Sequence, residues 1–230
     1  MHKAQTAILL FSRSLEAEFR AKSFGLTRDR FRQLYTALVR KTRQTLDGVT
    51  APVFEFDSHQ QVGSEFGERL INAIKEVQKK GFDKVIVVGN DAPGLNPEIL
   101  NVAIQSIGRG KNVLGRDSRG GCYLMGFDLN HLDLNAFYQI EWHSRRVFDQ
   151  VNSLLQADTS LPQLADLNHR EDLKAALLVK TSPRSYIVSL FKLVFSSFFK
   201  AFNLKEPIKE VSSLKTHYRG PPGLVFITSY

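Results

Sequence analysis

The residues best suited to chemistry stand at the end of an apolar run, Val85-Ile86-Val87-Val88-Gly89-Asn90-Asp91-Ala92-Pro93-Gly94-Leu95. A buried strand that ends in glycine delivers a carboxylate, Asp91, to its tip. Carboxylate oxygens are the preferred ligands of Mg²⁺ and Mn²⁺, so Asp91 suits a divalent ion bridging nucleotide phosphates. The same Asn90-Asp91 pair also suits a plain turn ahead of a helix opening at Pro97. A second candidate is Gly115-Arg116-Asp117-Ser118-Arg119-Gly120-Gly121, whose backbone N–H groups and two arginines fit phosphate, and which equally fits a hairpin connection. Asp166, Asn168, Glu171 and Asp172 form an acidic cluster at the start of a helix, where such residues also cap the helix and complement its dipole. No Ser/His/Asp or Cys/His spacing points to covalent catalysis.

These groups need a scaffold that brings strand tips together. Thr6–Ser12, Pro52–Phe56, Lys84–Gly89, Val113-Leu114 and Cys122–Phe127 read as strands, the third apolar enough to be buried on both faces. Between them, Arg28–Leu46, Glu65–Lys80, Pro97–Ile107, Arg145–Leu155 and Arg170–Val179 read as helices, with apolar residues at helical spacing and Pro97 in a first turn. Alternation of this kind predicts an α/β domain with a mostly parallel sheet. In such sheets ligands bind beyond the carboxyl ends of the strands, which singles out the segments after Phe11, Gly89 and Leu114.

The chain has 230 residues, 43% hydrophobic, enough for a substantial core. Its single cysteine, Cys122, excludes an internal disulfide and any multi-cysteine zinc site. The net charge of +8 is unevenly spread: residues 1–50 and 174–230 are basic, while 51–173 carry an excess of Asp and Glu. An acidic middle between basic ends argues against a general nucleic-acid binder. The apolar run after Met1-His2-Lys3 is strand-sized, not signal-sized, and no run is long enough to span a bilayer. A cytoplasmic protein is expected.

Five segments in order resemble a bacterial glycosyltransferase family of the nucleotide-diphospho-sugar transferase superfamily, some of whose members are associated with arsenosugar biosynthesis. Gln61 with Glu65-Phe66-Gly67-Glu68-Arg69-Leu70 looks like the family's Q…DLGERM. Gly89-Asn90-Asp91-Ala92-Pro93-Gly94-Leu95 is similar to GSDCPGL, and Gly115 to Gly126 to GPxxDGGYYLIG. Trp142-His143-Ser144 is similar to WST, and Leu164-Ala165-Asp166-Leu167-Asn168 with Glu171-Asp172-Leu173 to LxDIDTxEDL. The match covers about residues 6–175.

The resemblance implies a single Rossmann-like GT-A domain over residues 1–180. It also implies a metal-dependent glycosyltransferase or nucleotidyltransferase-like protein with a nucleotide-sugar donor. Asp91 and Asn168 would hold Mg²⁺ or Mn²⁺, and Asp166 or Glu171 would assist the metal or the acceptor. Arg13, Arg20, Lys22, Gln61, Arg69, Asn90, Arg119, Gly120 and Gly121 would bind the nucleotide and its phosphates. Three departures support an alternative, a binding or scaffold protein that kept the fold without the chemistry. The first loop, PGxVKTRL in the family, is here Leu15–Phe24, without Pro-Gly and with Glu16 and Glu18. Arg119 stands where the family has an aspartate, and Asn168 replaces a second.

Residues 181–230 are expected to form an extension. Ile187, Leu190, Phe191, Val194, Phe195, Phe198 and Phe202 share one helical face of Ser185–Lys205, and lysines and serines share the other. Such a helix suits packing on its own domain, on a dimer mate, or on the inner face of a membrane beside a lipid-linked acceptor. Gly220-Pro221-Pro222-Gly223 and Leu224–Tyr230 read as a turn and a terminal strand.

Overall fold

A computed structural model describes residues 6–173 of the chain. Five strands, β1 (Thr6–Phe11), β2 (Val53–Phe56), β3 (Lys84–Val88), β4 (Val113–Arg116) and β5 (Cys122–Asp128), form one sheet in the order β2-β1-β3-β5-β4. β1 pairs in parallel with β2 and β3, whereas β5 is antiparallel to both β3 and β4. Four strands therefore run one way, and the sheet is mostly parallel, as the sequence predicts. The tips of β1, β3 and β4 share one end, where the start of β5 joins them.

Among the described residues, six complete α-helices flank the sheet: α1 (Leu15–Lys22), α2 (Arg28–Leu46), α3 (Phe66–Lys79), α4 (Pro97–Gly108), α5 (Leu134–Tyr138) and α6 (Val147–Leu155). The two-residue period of the strands divides the core. Ala7, Leu9, Val85, Val87, Met125 and Phe127 join one cluster with α3, α5 and α6. Ile8, Leu10, Ile86, Val88 and Leu124 join the other with α4 and the end of α2. Asn96 caps α4, its side chain accepting from Ile99 N, with Pro97 in the first turn.

Two differences from the sequence reading matter for the site. Residues 15–22, which align with a phosphate loop of the family, are the helix α1. The stretch lacks the Pro-Gly that would break it, carries Glu16 and Glu18 in its first turn and Arg20 and Lys22 in its last, and closes an i,i+4 ion pair between Glu18 and Lys22. The short helix α5, capped by Asp133, has no counterpart in the sequence reading, because five residues are too few for a periodic signal. The helix expected over Arg170–Val179 begins at Arg170. Its remainder, the division at residue 180, the 185–205 helix and the 224–230 strand lie outside the described residues. Among the described residues, no helix is long and apolar enough to cross a membrane.

Candidate functional site

At the shared end of β1, β3 and β4 a cleft of about 620 Å³ opens. Its basic side chains are Arg13, Lys22, Arg69, Arg119 and Arg145, and its acidic ones are Glu18, Asp91, Asp117 and Asp166. β1 delivers Arg13, and α1 delivers Glu18 and Lys22. β3 ends one residue before Gly89, where a Cβ would stand 2.8 Å from Asp91 Oδ1. Glycine there leaves room for the carboxylate to fold back over the strand tip.

Lys22 sits at the centre of this chemistry. Its Nζ donates to Asp91 Oδ2 at 2.8 Å and to the Leu167 carbonyl at 3.3 Å, and lies 3.0 Å from Glu18 Oε1. Its three N–H bonds thus have three oxygen partners, and the side chain is only 10% exposed. Burial alone would lower the Lys22 pKa, but the Asp91 and Glu18 carboxylates outweigh it and raise the value. Burial alone would likewise raise Asp91, yet the charge and hydrogen bond of Lys22 bring it below the ordinary carboxylate value. The second oxygen of Glu18 takes Arg13 Nη1 at 3.2 Å. An ion chain Arg13–Glu18–Lys22–Asp91 therefore runs along one wall.

The opposite wall is the β4–β5 hairpin and the 164–172 segment. Asp117 Oδ1 accepts from Arg119 N at 2.6 Å and Gly121 N at 2.8 Å, closing the turn on itself. Gly120 has φ +90° and packs against the Arg145 carbonyl, with no room for a Cβ. That contact seats the 142–146 segment on the hairpin. Leu167 N donates to Asp91 O at 2.9 Å, docking the 164–172 segment on the β3 tip. Asp166 is buried there, and its Oδ1 has no hydrogen-bond partner. Burial first, then the neighbouring Asp91 and Asp117 carboxylates, pushes its pKa up to about 9.

The expected site residues divide accordingly. Arg13, Lys22, Gln61, Arg69, Asn90, Asp91, Arg119, Gly121, Asp166 and Asn168 all line the cleft, with Gly120 shaping its turn. Several also tie parts of the fold together. Gln61 Nε2 donates to Ser12 O and Phe56 O, tying the tips of β1 and β2, and Arg69 Nη1 donates to Ser64 O. Arg119 pairs with Asp172, which accepts from Asn168 N and His169 N through its other oxygen. Arg20 and Glu171 are exposed and lie outside the cleft lining; Arg20 Nε donates to Glu16 O. Asp117, Arg145 and His169 line the cleft as well. No spacing in the sequence signals Arg145, which arrives only through the Gly120 contact.

A divalent ion fits poorly beside Asp91 in this arrangement. Bound to Asp91 Oδ2 at its usual distance of about 2.1 Å, it would lie at most about 5 Å from Lys22 Nζ. Charges of +2 and +1 at that separation repel by roughly 7 kcal/mol even at an effective dielectric near 20. Among the described residues, no group of three or more His, Cys, Asp or Glu side chains is placed to hold a metal.

Cys122, at the start of β5, borders the cleft, and burial pushes its thiol up to about 12. The native protein at pH 8 is expected to react with a thiol-specific disulfide reagent at least ten times more slowly than the urea-unfolded chain, because almost no thiolate is present. Equal rates would show the thiol to be open.

A family profile described as "Uncharacterized protein conserved in bacteria (DUF2064)" matches residues 26–144. Among solved structures, the fold resembles a Desulfovibrio desulfuricans protein described as a "putative nucleotide-diphospho-sugar transferase". The two share 20% identity and a TM-score of 0.70 over 86% of this chain and 97% of that one. A Mycobacterium tuberculosis protein, Rv0371c, solved as a complex with manganese, is more distant, with 11% identity and a TM-score of 0.42 over 74% of this chain and 97% of that one. No curated protein matches the chain in sequence. The first likeness shows that the two chains share one fold; the second is too remote to carry an argument. With the profile match spanning α2 through the Trp142 segment, just over half of the sequence, the chain belongs to the DUF2064 family of proteins conserved in bacteria.

Proposed function

We propose that the cleft binds a nucleotide or nucleotide-sugar through its phosphates, and that the chain acts as a glycosyltransferase or nucleotidyltransferase-like protein. The observation that carries this reading is the convergence of Arg13, Lys22, Arg69, Arg119 and Arg145 on one cleft, at the strand ends where this fold class takes its ligands. Arg69, Arg119 and Arg145 reach it from α3, the hairpin and the segment before α6, so they can surround a diphosphate rather than touch one side of it. An adjoining pocket of about 450 Å³, sharing Phe66, Trp142, His143 and Ser144 with the cleft, offers the acceptor a place beside the donor.

A second reading, binding without transfer, is favoured by one observation. Asp91, the carboxylate suited to a metal, is already neutralised by Lys22.

Thermal unfolding against a panel of nucleoside diphosphates and nucleotide-sugars tests the first part. A ligand at 100 times its dissociation constant should stabilise the fold by about 2.7 kcal/mol. Release of nucleotide from a stabilising nucleotide-sugar on addition of acceptors then separates the two readings. No stabilisation by any member at millimolar concentration would sink both.

A further inference from the structure

We propose that Lys22 is the resident cation of this site, an ammonium held where a divalent ion would otherwise stand, so that the cleft takes a diphosphate without metal. For its ligand this inference rests on the reading above; for the cation it rests on geometry alone.

Three oxygens from separate parts of the chain converge on one point: Asp91 Oδ2 from the β3 tip, Glu18 Oε1 from α1 and the Leu167 carbonyl from the 164–172 segment. Two carboxylates and a carbonyl about 3 Å from a common centre make a cation cage, and ammonium with three donors fills it at hydrogen-bond distance. The Lys22 and Glu18 side chains are 10% and 11% exposed, and the cage opens to the cleft on the side of Asp91, which is 29% exposed. The Asp166 carboxyl, buried and with one oxygen unpartnered, lies in the facing 164–172 segment, one residue before the Leu167 carbonyl.

Glu18 is the residue that makes the difference. Asp91 alone could exchange Lys22 for a metal and release the lysine towards a phosphate. Glu18 adds a second carboxylate that holds the ammonium in place, one helical turn before it, and through its other oxygen steadies Arg13. All three Lys22 N–H groups are then spent inside the protein. Lys22 therefore contributes charge to the cleft, not hydrogen bonds, and the phosphates fall to Arg69, Arg119 and Arg145.

The test uses Mn²⁺ alone and inorganic pyrophosphate as probes. In a titration followed by electron paramagnetic resonance at pH 7.5, wild type at about 0.1 mM should leave the signal of free Mn²⁺ undiminished. Lys22→Met should remove about one equivalent per chain, binding at least tenfold more tightly than wild type. Glu18→Gln/Lys22→Met should lose that gain, because the cage has lost one of its two carboxylate charges. Calorimetry with pyrophosphate should give wild-type affinities within twofold in EDTA and in Mg²⁺, whereas Lys22→Met should fall at least tenfold in EDTA and recover in Mg²⁺.

Stoichiometric, micromolar Mn²⁺ binding by wild type would overturn the proposal. So would a Lys22→Met protein that unfolds cooperatively yet takes up no Mn²⁺. Should that variant not fold, Lys22→Gln replaces it, and the wild-type titration decides on its own. Absence of pyrophosphate binding by wild type in either buffer would remove the ligand reading and leave the Mn²⁺ results to judge the cage.

Discussion

Replacing Gly120 by alanine is expected to destabilise the protein by about 2–6 kcal/mol, the largest effect of any single methyl group in the site. Two costs add. The residue has φ +90°, where a side chain is strained by roughly 1–3 kcal/mol. Its Cβ would also come within 3.0 Å of the Arg145 carbonyl carbon and closer still to the oxygen, a clash with backbone that no rotamer relieves. Relieving it by backbone movement costs a further amount of about 1–3 kcal/mol. Because Gly120 O also accepts from Phe148 N, the shift would propagate into α6. Gly108→Ala is the control. Gly108 closes α4, and a Cβ there would meet nothing within 4 Å, so alanine should be neutral or stabilising by up to about 1 kcal/mol. Urea denaturation of both variants checks the contrast, and equal stabilities would mean that the hairpin does not clasp the 142–146 segment.

Lys22→Met is expected to cost about 3 kcal/mol. Removing one partner of a buried ion pair leaves the others uncompensated, which typically costs 3–5 kcal/mol. The lower end applies because the Asp91 side chain is 29% exposed and can take a proton or water. Glu18→Gln/Lys22→Met should be more stable than Lys22→Met alone, since Glu18, held only by Arg13 once the lysine is gone, no longer repels Asp91. The pH dependence follows from the directions of the shifts. Lys22 is raised, so its contribution is complete below the ordinary lysine value of 10.5 and is lost only as pH rises through its higher folded value. Asp91 is lowered, so its contribution is complete above 3.8 and is lost as pH falls through its lower folded value. In Lys22→Met the charge and hydrogen bond that offset the burial of Asp91 are gone, so its carboxyl is raised in the variant, and the difference from wild type should shrink as pH falls and the stranded carboxylate takes a proton. A difference that stays level into acid would assign the loss to another group.

The sequence makes the scaffold largely readable and the state of the site hardly at all. The α2 boundaries, Arg28–Leu46, coincide with the sequence reading, because apolar residues at helical spacing between turn signals leave little choice. β3 is a continuous β-branched run and could only be buried. By contrast, α1 stands where the family's glycine-containing pattern places a loop, and the eight helix-forming residues actually present decide its shape. Its consequence, a lysine aimed at Asp91 from 69 residues away, depends on how α1 packs against the β3 tip, and no local pattern encodes that. Arg119 shows the same limit. Its type and position suggest a phosphate ligand, while its partner Asp172 is fixed by the docking of the 164–172 segment on β3.

Trp142 gives a direct view of the cleft as a phosphate-binding site for nucleotides. It is the only tryptophan in the chain and it lines the cleft against Phe66. Its emission, followed during titration with nucleoside diphosphates and their sugar conjugates, should change saturably for at least one base. The change should require the diphosphate, persist in EDTA, and weaken at least tenfold in Arg69→Ala/Arg119→Ala. Emission that stays constant to millimolar ligand, together with an unchanged melting temperature, would contradict the account.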